Sequence, residues 1–486
     1  MTYLFYDFET TGADPACDRP VQFAALRTDA AFNPVGEPVM YFAELSEEVL
    51  MHPAAARITG ILPTRLPALG ALPEVVFAAR LQALFREPGT CAVGFNNLRF
   101  DAELLRYLFW RNLREPYDHE WQDGNSRFDV LDCARALRAL RPEGVVWPVD
   151  DAGQPTLRLE ALTAANGIPH HGAHDALADV CATRDLFALC HRAQPKLVDY
   201  LLTLRDKATV AEFVDHPQRR TGFVHISPMI ATAWRNASVF ANFGSPNGIK
   251  TQRILWDLRA DPARILDESV ESLAVARFIT RDDPRGVSRL PIKLLHLNRA
   301  PLVTSIRLLD EAGLVERLLL DVSQLRQHQA TAAQFMPEMA DKLQQVMAMS
   351  AEFPPKPAEC ALYDGFLDRA DRARLAQFSR AVDQALAATG TVAAATMASP
   401  VQALLRQDWQ DARLRALVPR FVARHWPALL DEGAAKEWAH WRQAQLAGKW
   451  PEFFAALAVE RAGADAATGR LLDELEQWGR ARATNG

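Results

Sequence analysis

The chain has 486 residues, 49% of them hydrophobic and 23% charged, with a formal net charge of −6. That length predicts about two to four domains, and the composition excludes a disordered chain while leaving enough apolar residues for a sizeable core. The acidic balance excludes a nucleic-acid binder that works through charge over its whole surface, but it leaves room for a local basic groove.

From the N-terminus, strands are predicted at 2–9, 21–28, 37–44 and 91–95, and helices at 73–86, 101–113, 129–140, 158–166 and 175–191. Early strands followed by helices around a later strand predict an α/β domain on a mixed sheet. The texture then changes. FVHIS (223–227), ASVFANF (237–243), RILWDL (253–258) and IKLLHL (292–297) read as short strands between Pro, Gly and Asn turns, with helices at 306–319 and 331–348. This is a smaller α+β or barrel-like domain. FPPKPAE (353–359) cannot continue a helix and reads as a linker. Beyond it, a stretch rich in Ala, Leu, Arg and Trp has helical periodicity, and its tryptophans are assigned to packing.

No apolar run reaches the roughly 18 residues of a membrane span, and the first residues already read as a strand, with no basic-then-apolar leader. The six cysteines show no close metal-ligand pairing and are expected to be reduced, mostly buried thiols of a cytoplasmic protein.

The stretch that carries chemistry first is YDFETTG (6–12). On a strand, residues i and i+2 share a face, so Asp7 and Glu9 point together while Tyr6 and Phe8 point away. Paired like charges repel, and burial makes the repulsion worse. A hard cation between them relieves it; an edge strand facing water avoids it equally well. Further on, GFNNLRFD (94–101) places an Asn-Asn turn before Asp101, which opens an amphipathic helix and reads on its own as an acid favoured by the helix dipole. HHGAHDALADV (170–180) places His174 and Asp175 before a helix, Asp175 as its N-cap, and Asp179 one turn in. Four acids (Asp7, Glu9, Asp101, Asp179) and His174 make one constellation. Oxygen ligands without cysteine select magnesium or manganese over zinc. Two such ions about 4 Å apart stabilise the attacking and leaving oxygens of an in-line phosphoryl displacement, and a histidine titrating near neutrality can take the proton of the attacking water.

The order DxE, mid-domain Asp, HDxxxD resembles the DEDDh branch of the 3′→5′ exonucleases, whose fold is ribonuclease H-like. The likeness is closer still to the bacterial exonuclease I family, which is specific for single-stranded DNA. DRPVQFAALRTD (18–29), ITGI (58–61), NSRFDVLD (125–132), ALRPEGVVWP (139–148) and LRLEALTAANGI (157–168) carry it through the first domain. PIKLLHLNRAP (291–301) and LYDGFLDRADRA (362–373) extend it more weakly, so that it covers nearly the whole chain.

The resemblance implies an exonuclease domain at 1–192, an SH3-like α+β domain at 195–350 and a helical domain at 355–486. It implies Asp7, Glu9 and Asp179 as ligands of two Mg2+ ions, for which Mn2+ can substitute, with Asp101 completing the acidic set and His174 as general base. Glu9 and Arg158 are implied at the substrate; Thr10, which follows the acids at the strand end, is placed there by the sequence itself, where backbone can approach a terminal nucleotide. Trp121, in the polar stretch HEWQDGNSR, is the aromatic predicted to be exposed for stacking, whereas Trp110 is assigned to a buried helix face. Further implications are processive release of 5′-mononucleotides in repair and recombination and a partnership with the acidic C-terminal tail of single-strand DNA-binding protein through Arg141 and Tyr200; a monomer is expected because the enclosing domains lie in one chain. LVTSIRLLDEAG (302–313) departs from the family by lacking a glutamine and an arginine, with Arg307 the available substitute. Two alternatives stay open: an exoribonuclease or proofreading-type nuclease of the same superfamily, and a catalytically inactive nucleic-acid-binding module.

Overall fold

A computed structural model of the chain describes residues 1–170, 175–279, 287–349 and 354–485. They fall into two compact units. One comprises Met1–Ser126, His170–Arg184 and Pro355–Gly486; the other comprises Arg127–Pro169 and Asp185–Pro354.

The first unit holds β1 (Thr2–Thr10), β2 (Pro20–Thr28), β3 (Val39–Phe42) and β4 (Thr90–Gly94), in the order β3-β2-β1-β4. β1 pairs antiparallel with β2 and parallel with β4, so the sheet is mixed, as expected. A parallel neighbour requires a crossover, and the helix Glu74–Phe85 lies within it. Leu4, Tyr6 and Phe8 of β1 enter a cluster with Phe23, Phe77, Phe85, Leu105 and Phe109. That anchors one face of the strand and turns Asp7 and Glu9 to the other.

The C-terminal helices Arg369–Thr389, Ala394–Leu405, Ala412–His425, Glu432–Arg461 and Ala466–Asn485 pack on this unit through two clusters. One joins Val75, Val76, Tyr107 and Trp110 to Phe378, Val418 and Phe421. The other joins Val21, Met51 and Leu62 to Phe453, Leu457 and Leu472. Each fully buried side chain of this size contributes about 1.5–3 kcal/mol, so these contacts hold the helical part against the sheet part firmly. Trp409 and Trp426 are buried packing residues, as assigned.

One expectation fails here. Cys17 and Cys360 form a disulfide, with Cα atoms 5.8 Å apart, so the six cysteines are not all reduced; Cys91, Cys133, Cys181 and Cys190 are thiols. A sequence separation of 343 residues hides the proximity. Cys17 follows the turn after β1, and Cys360 ends a short 3-10 turn (Ala358–Cys360) just beyond the proline-rich linker. Residue 353 of that linker lies outside the described residues.

Strand β5 (Ser126–Asp129) occupies the passage from the first unit to the second. The helix expected at 129–140 therefore begins at Val130, with Asp129 as its side-chain cap. In the second unit β6 (Phe223–Ile226), β7 (Ala237–Asn242), β8 (Gln252–Asp257), β9 (Ile292–His296) and β10 (Leu302–Ser305) form an antiparallel sheet in the order β10-β6-β7-β8-β9. Each predicted strand is present, and β10 is an addition too short for its alternation to declare it. The helix expected at 306–319 is instead a 3-10 turn, Ile306–Asp310, and a single helical turn, Leu314–Arg317, separated by Gly313 at φ 78°. The helix expected at 331–348 is two, Val322–Gln334 and Met336–Ala348. Pro337 lacks the amide proton and crowds the preceding turn, so the helix restarts there. Among the described residues no helix is long and apolar enough to cross a membrane.

Candidate active site

β1 delivers the first two acids. Asp7 lies opposite Ala24 and Glu9 opposite Gln22, and the register shifts between Glu9 and Thr10 as the strand turns away. Thr10 Oγ1 donates to Gly12 O at 2.6 Å, and Thr11 Oγ1 donates to Asp18 Oδ1 at 3.0 Å. A Cβ on Gly12 would stand 2.5 Å from the Asp18 carboxylate, so this turn admits only glycine without rearrangement. Thr10 is buried at the strand end.

Because β4 runs parallel to β1, both strands end on the same edge of the sheet, and the turn after β4 opens beside the β1 acids. That turn is tight. Asn96 takes φ 64°, and a Cβ on Gly94 would meet Asn97 Cβ at 2.7 Å. Asn97 Nδ2 donates to the Tyr6 hydroxyl at 3.3 Å, and the Asn97 carbonyl accepts from Ala102 N at 2.8 Å. The chain then enters the helix Asp101–Arg111 with Asp101 as its first residue, buried.

The fourth acid comes from the helix Ala176–Ala193. Asp175 caps it, accepting from Leu177 N and Ala178 N at 3.0 and 3.2 Å. Asp179 sits one turn in, where donor oxygens of Asp7, Glu9 and Asp179 lie within 4.8 Å of one another. His174 lies outside the described residues. A histidine that sequence reasoning passed over is present instead: His170 Nε2 lies 2.5 Å from Asp179 Oδ1, with its side chain 5% exposed. The HHGAHD stretch contained the signal, but nothing in its spacing singled out the first imidazole.

The electrostatics follow from crowding. Burial, then the charges of Asp179, Asp101 and Asp175, push Glu9 up to about 8. Burial, then Asp101, Glu9 and Asp179, raise Asp7 well above the usual carboxylate range. Asp101 therefore acts on both β1 acids through its charge, and all four acids share one field. Three carboxylates whose donor oxygens lie within 4.8 Å of one another have the donor chemistry of a hard divalent cation site.

Family models match nearly the whole chain: Exonuclease over residues 4–187, Exonuclease I SH3-like domain over 205–349, and Exonuclease I C-terminal domain over 356–482. The chain is also 37% identical over 467 residues to exodeoxyribonuclease I of Escherichia coli K12, covering 94% of this chain and 92% of that protein. The chain belongs to the exonuclease I family. Among solved structures, E. coli exonuclease I in complex with a dA16 oligonucleotide is 34% identical with a TM-score of 0.88, covering 99% of both chains. A zinc-bound form of the E. coli ExoI–ssDNA complex (33% identical, TM-score 0.87) and an SSB/exonuclease I structure with the inhibitor CFAM (33%, 0.85) likewise cover 99% of both chains.

The remaining residues singled out in the sequence take varied positions. Trp121 is 68% exposed, whereas Trp110 is buried and donates through Nε1 to Ala358 O at 2.9 Å. Arg158 is exposed and immediately precedes the helix Leu159–Ala165. Arg141 is engaged by Glu311, and the Tyr200 hydroxyl donates to Val303 O at 2.8 Å.

Proposed function

We propose that the chain is a 3′→5′ exodeoxyribonuclease that degrades single-stranded DNA processively to 5′-mononucleotides, with Mg2+ as its physiological ion and Mn2+ as a substitute. The observation that carries this reading is the convergence of Asp7, Glu9 and Asp179 within 4.8 Å, with Asp101 close enough to raise the pKa of both β1 acids. Divalent ions bound there would supply charge stabilisation to the attacking and leaving oxygens. Asp7, Glu9 and Asp179 would hold the ions, and Asp101 completes the acidic wall. In this reading Glu9 and the Thr10 strand end face the terminal nucleotide, Trp121 offers a stacking surface, and Arg158 supplies a cation to the phosphates. His174, on sequence grounds, accepts a proton of the water whose oxygen bonds to phosphorus; the P–O3′ bond breaks, the departing O3′ takes a proton from solvent, and the released nucleotide carries the 5′ phosphate.

The proposal includes a three-domain organisation at 1–192, 195–350 and 355–486, a monomeric state and a cytoplasmic location. It also includes binding of the acidic tail of single-strand DNA-binding protein through Arg141 and Tyr200. Since Glu311 already engages Arg141, a tail carboxylate would have to displace it.

The test is digestion of a 3′-labelled single-stranded oligonucleotide by the purified chain in Mg2+, beside duplex DNA and RNA of the same sequence. Release of labelled mononucleotide from single-stranded DNA ahead of the others is expected. Preference for RNA would select the exoribonuclease alternative, and no release from any substrate would select the inactive module.

A further inference from the structure

We infer that His170 is a positioning residue for the metal site: it holds Asp179 in the orientation that presents the carboxylate to a divalent cation. The inference rests on the proposed reading of that site as a metal centre. Asp179 stands half-buried in the first turn of a helix and shares its surroundings with two other acids, whose repulsion favours any rotation that swings it outward. His170 Nε2 lies 2.5 Å from Asp179 Oδ1, and its ring is 5% exposed, so the imidazole is packed in place rather than swinging in solvent. The contact on Oδ1 restrains rotation about the Cβ–Cγ bond in the orientation that brings an Asp179 donor oxygen within 4.8 Å of those of Asp7 and Glu9. Asp7 and Glu9 are held by their own strand, since β1 pairs with β2 at both positions. Asp179 comes from another segment, and a side chain nine residues earlier supplies the restraint that strand pairing supplies to the others. Partners of this kind behind ligating groups typically change metal affinity by about 10–100-fold.

The experiment measures Mn2+ binding to the full chain by the electron paramagnetic resonance of free Mn2+, without substrate, for wild type, His170→Ala, His170→Gln and Asp179→Ala. Turnover of single-stranded DNA is measured in parallel as Mn2+ is raised. The expected result for His170→Ala is Mn2+ affinity about 10–100-fold weaker, a Mn2+ requirement displaced by the same factor, and recovery of kcat at saturating Mn2+. His170→Gln, whose amide can still donate, should regain part of the affinity. Circular dichroism on both variants separates misfolding from loss of position, and His170→Gln carries the test if the alanine variant does not fold. Wild-type Mn2+ affinity in both His170 variants, with affinity lost in Asp179→Ala, overturns the positioning role alone. A fall in kcat that saturating Mn2+ does not restore, at unchanged affinity, overturns it in favour of direct proton transfer. Wild-type affinity in Asp179→Ala overturns the metal-site reading itself.

Discussion

Two buried groups of charges in the first unit use the same kinds of side chain to opposite ends. At the β1 edge, acids face acids, and burial with mutual repulsion raises Glu9 to about 8. Behind the same sheet, where the C-terminal helices dock, acids face arginines. Arg19 Nη2 donates to Glu359 Oε2 at 2.6 Å, Arg424 bonds both Glu48 and Glu359, and Arg111 Nε lies 3.4 Å from Glu74 Oε1. There burial again pushes Glu74 and Glu359 up, but Arg111 and Arg19 for the first, and Arg424 and Arg19 for the second, outweigh it and bring both down to about 2. Burial alone therefore says little; the sign of the neighbours decides whether a buried carboxylate is pushed up, as a proposed cation site, or held down in a closed structural network.

Removing one charge from each group should move activity and stability in opposite ways. Asp7→Asn deletes a proposed ligand charge and should lower turnover of single-stranded DNA by about a thousandfold or more, as loss of several kcal/mol of charge stabilisation requires. DNA binding should survive. The same change relieves repulsion, so the metal-free protein should be more stable, by about 0.5–2 kcal/mol. Turnover near the wild-type rate would count heavily against the site. Glu359→Gln leaves Arg19 and Arg424 buried without their shared counter-charge and should destabilise by about 3–5 kcal/mol in denaturant unfolding, with metal affinity unchanged. An unaltered denaturation midpoint would mean the network does not hold the docked helices.

The acid cluster was largely legible in the sequence because each of its parts is local. The i, i+2 pair on β1, the helix-opening Asp101 and the Asp175 cap four residues before Asp179 follow from periodicities of two and 3.6 and from cap chemistry, and the family resemblance supplied their assembly. The docking network was not legible. Arg19 and Glu359 are 340 residues apart, and nothing in DRPVQF or KPAEC marks either as a buried partner. His170 was missed for a related reason, since its contact with Asp179 is tertiary and nothing in the spacing of the stretch marks it. β10 and the broken 306–319 helix show the same limit: four residues carry too little pattern, and Gly313 was outvoted by its apolar neighbours.

The pH dependence of stability should display the contrast in one curve. Glu9 titrates near 8 when folded and near 4.5 when unfolded. The folded state therefore binds the extra proton between those values, and metal-free stability should fall as pH rises through that window, by a few kcal/mol at most. Glu74 and Glu359 titrate near 2 when folded, so their contribution is complete above the unfolded value and is lost as pH falls below it. Thermal unfolding of the metal-free chain should accordingly peak close to the unfolded carboxylate value. Adding Mg2+ should remove the alkaline decline and leave the acid limb untouched, because metal binding competes with protons only at the β1 cluster. An acid limb that moves with Mg2+ would show that the two groups are coupled.

The smallest effect isolates what burial adds to an ion pair. Lys436 Nζ lies 2.6 Å from Glu432 Oε1, the same separation as Arg19 to Glu359, but with the two side chains 75% and 84% exposed. Water already solvates both charges, and holding two long side chains together costs rotamer entropy, so an exposed i, i+4 pair of this kind contributes about 0.3–0.5 kcal/mol. Glu432→Gln should therefore shift the denaturation midpoint barely beyond error, and 1 M salt should erase the shift, whereas salt should leave the Glu359→Gln deficit in place because buried charges are screened far less. If the two substitutions cost the same, distance rather than desolvation would govern both, and the explanation given for the opposed pKa values at the two buried groups would fail with it.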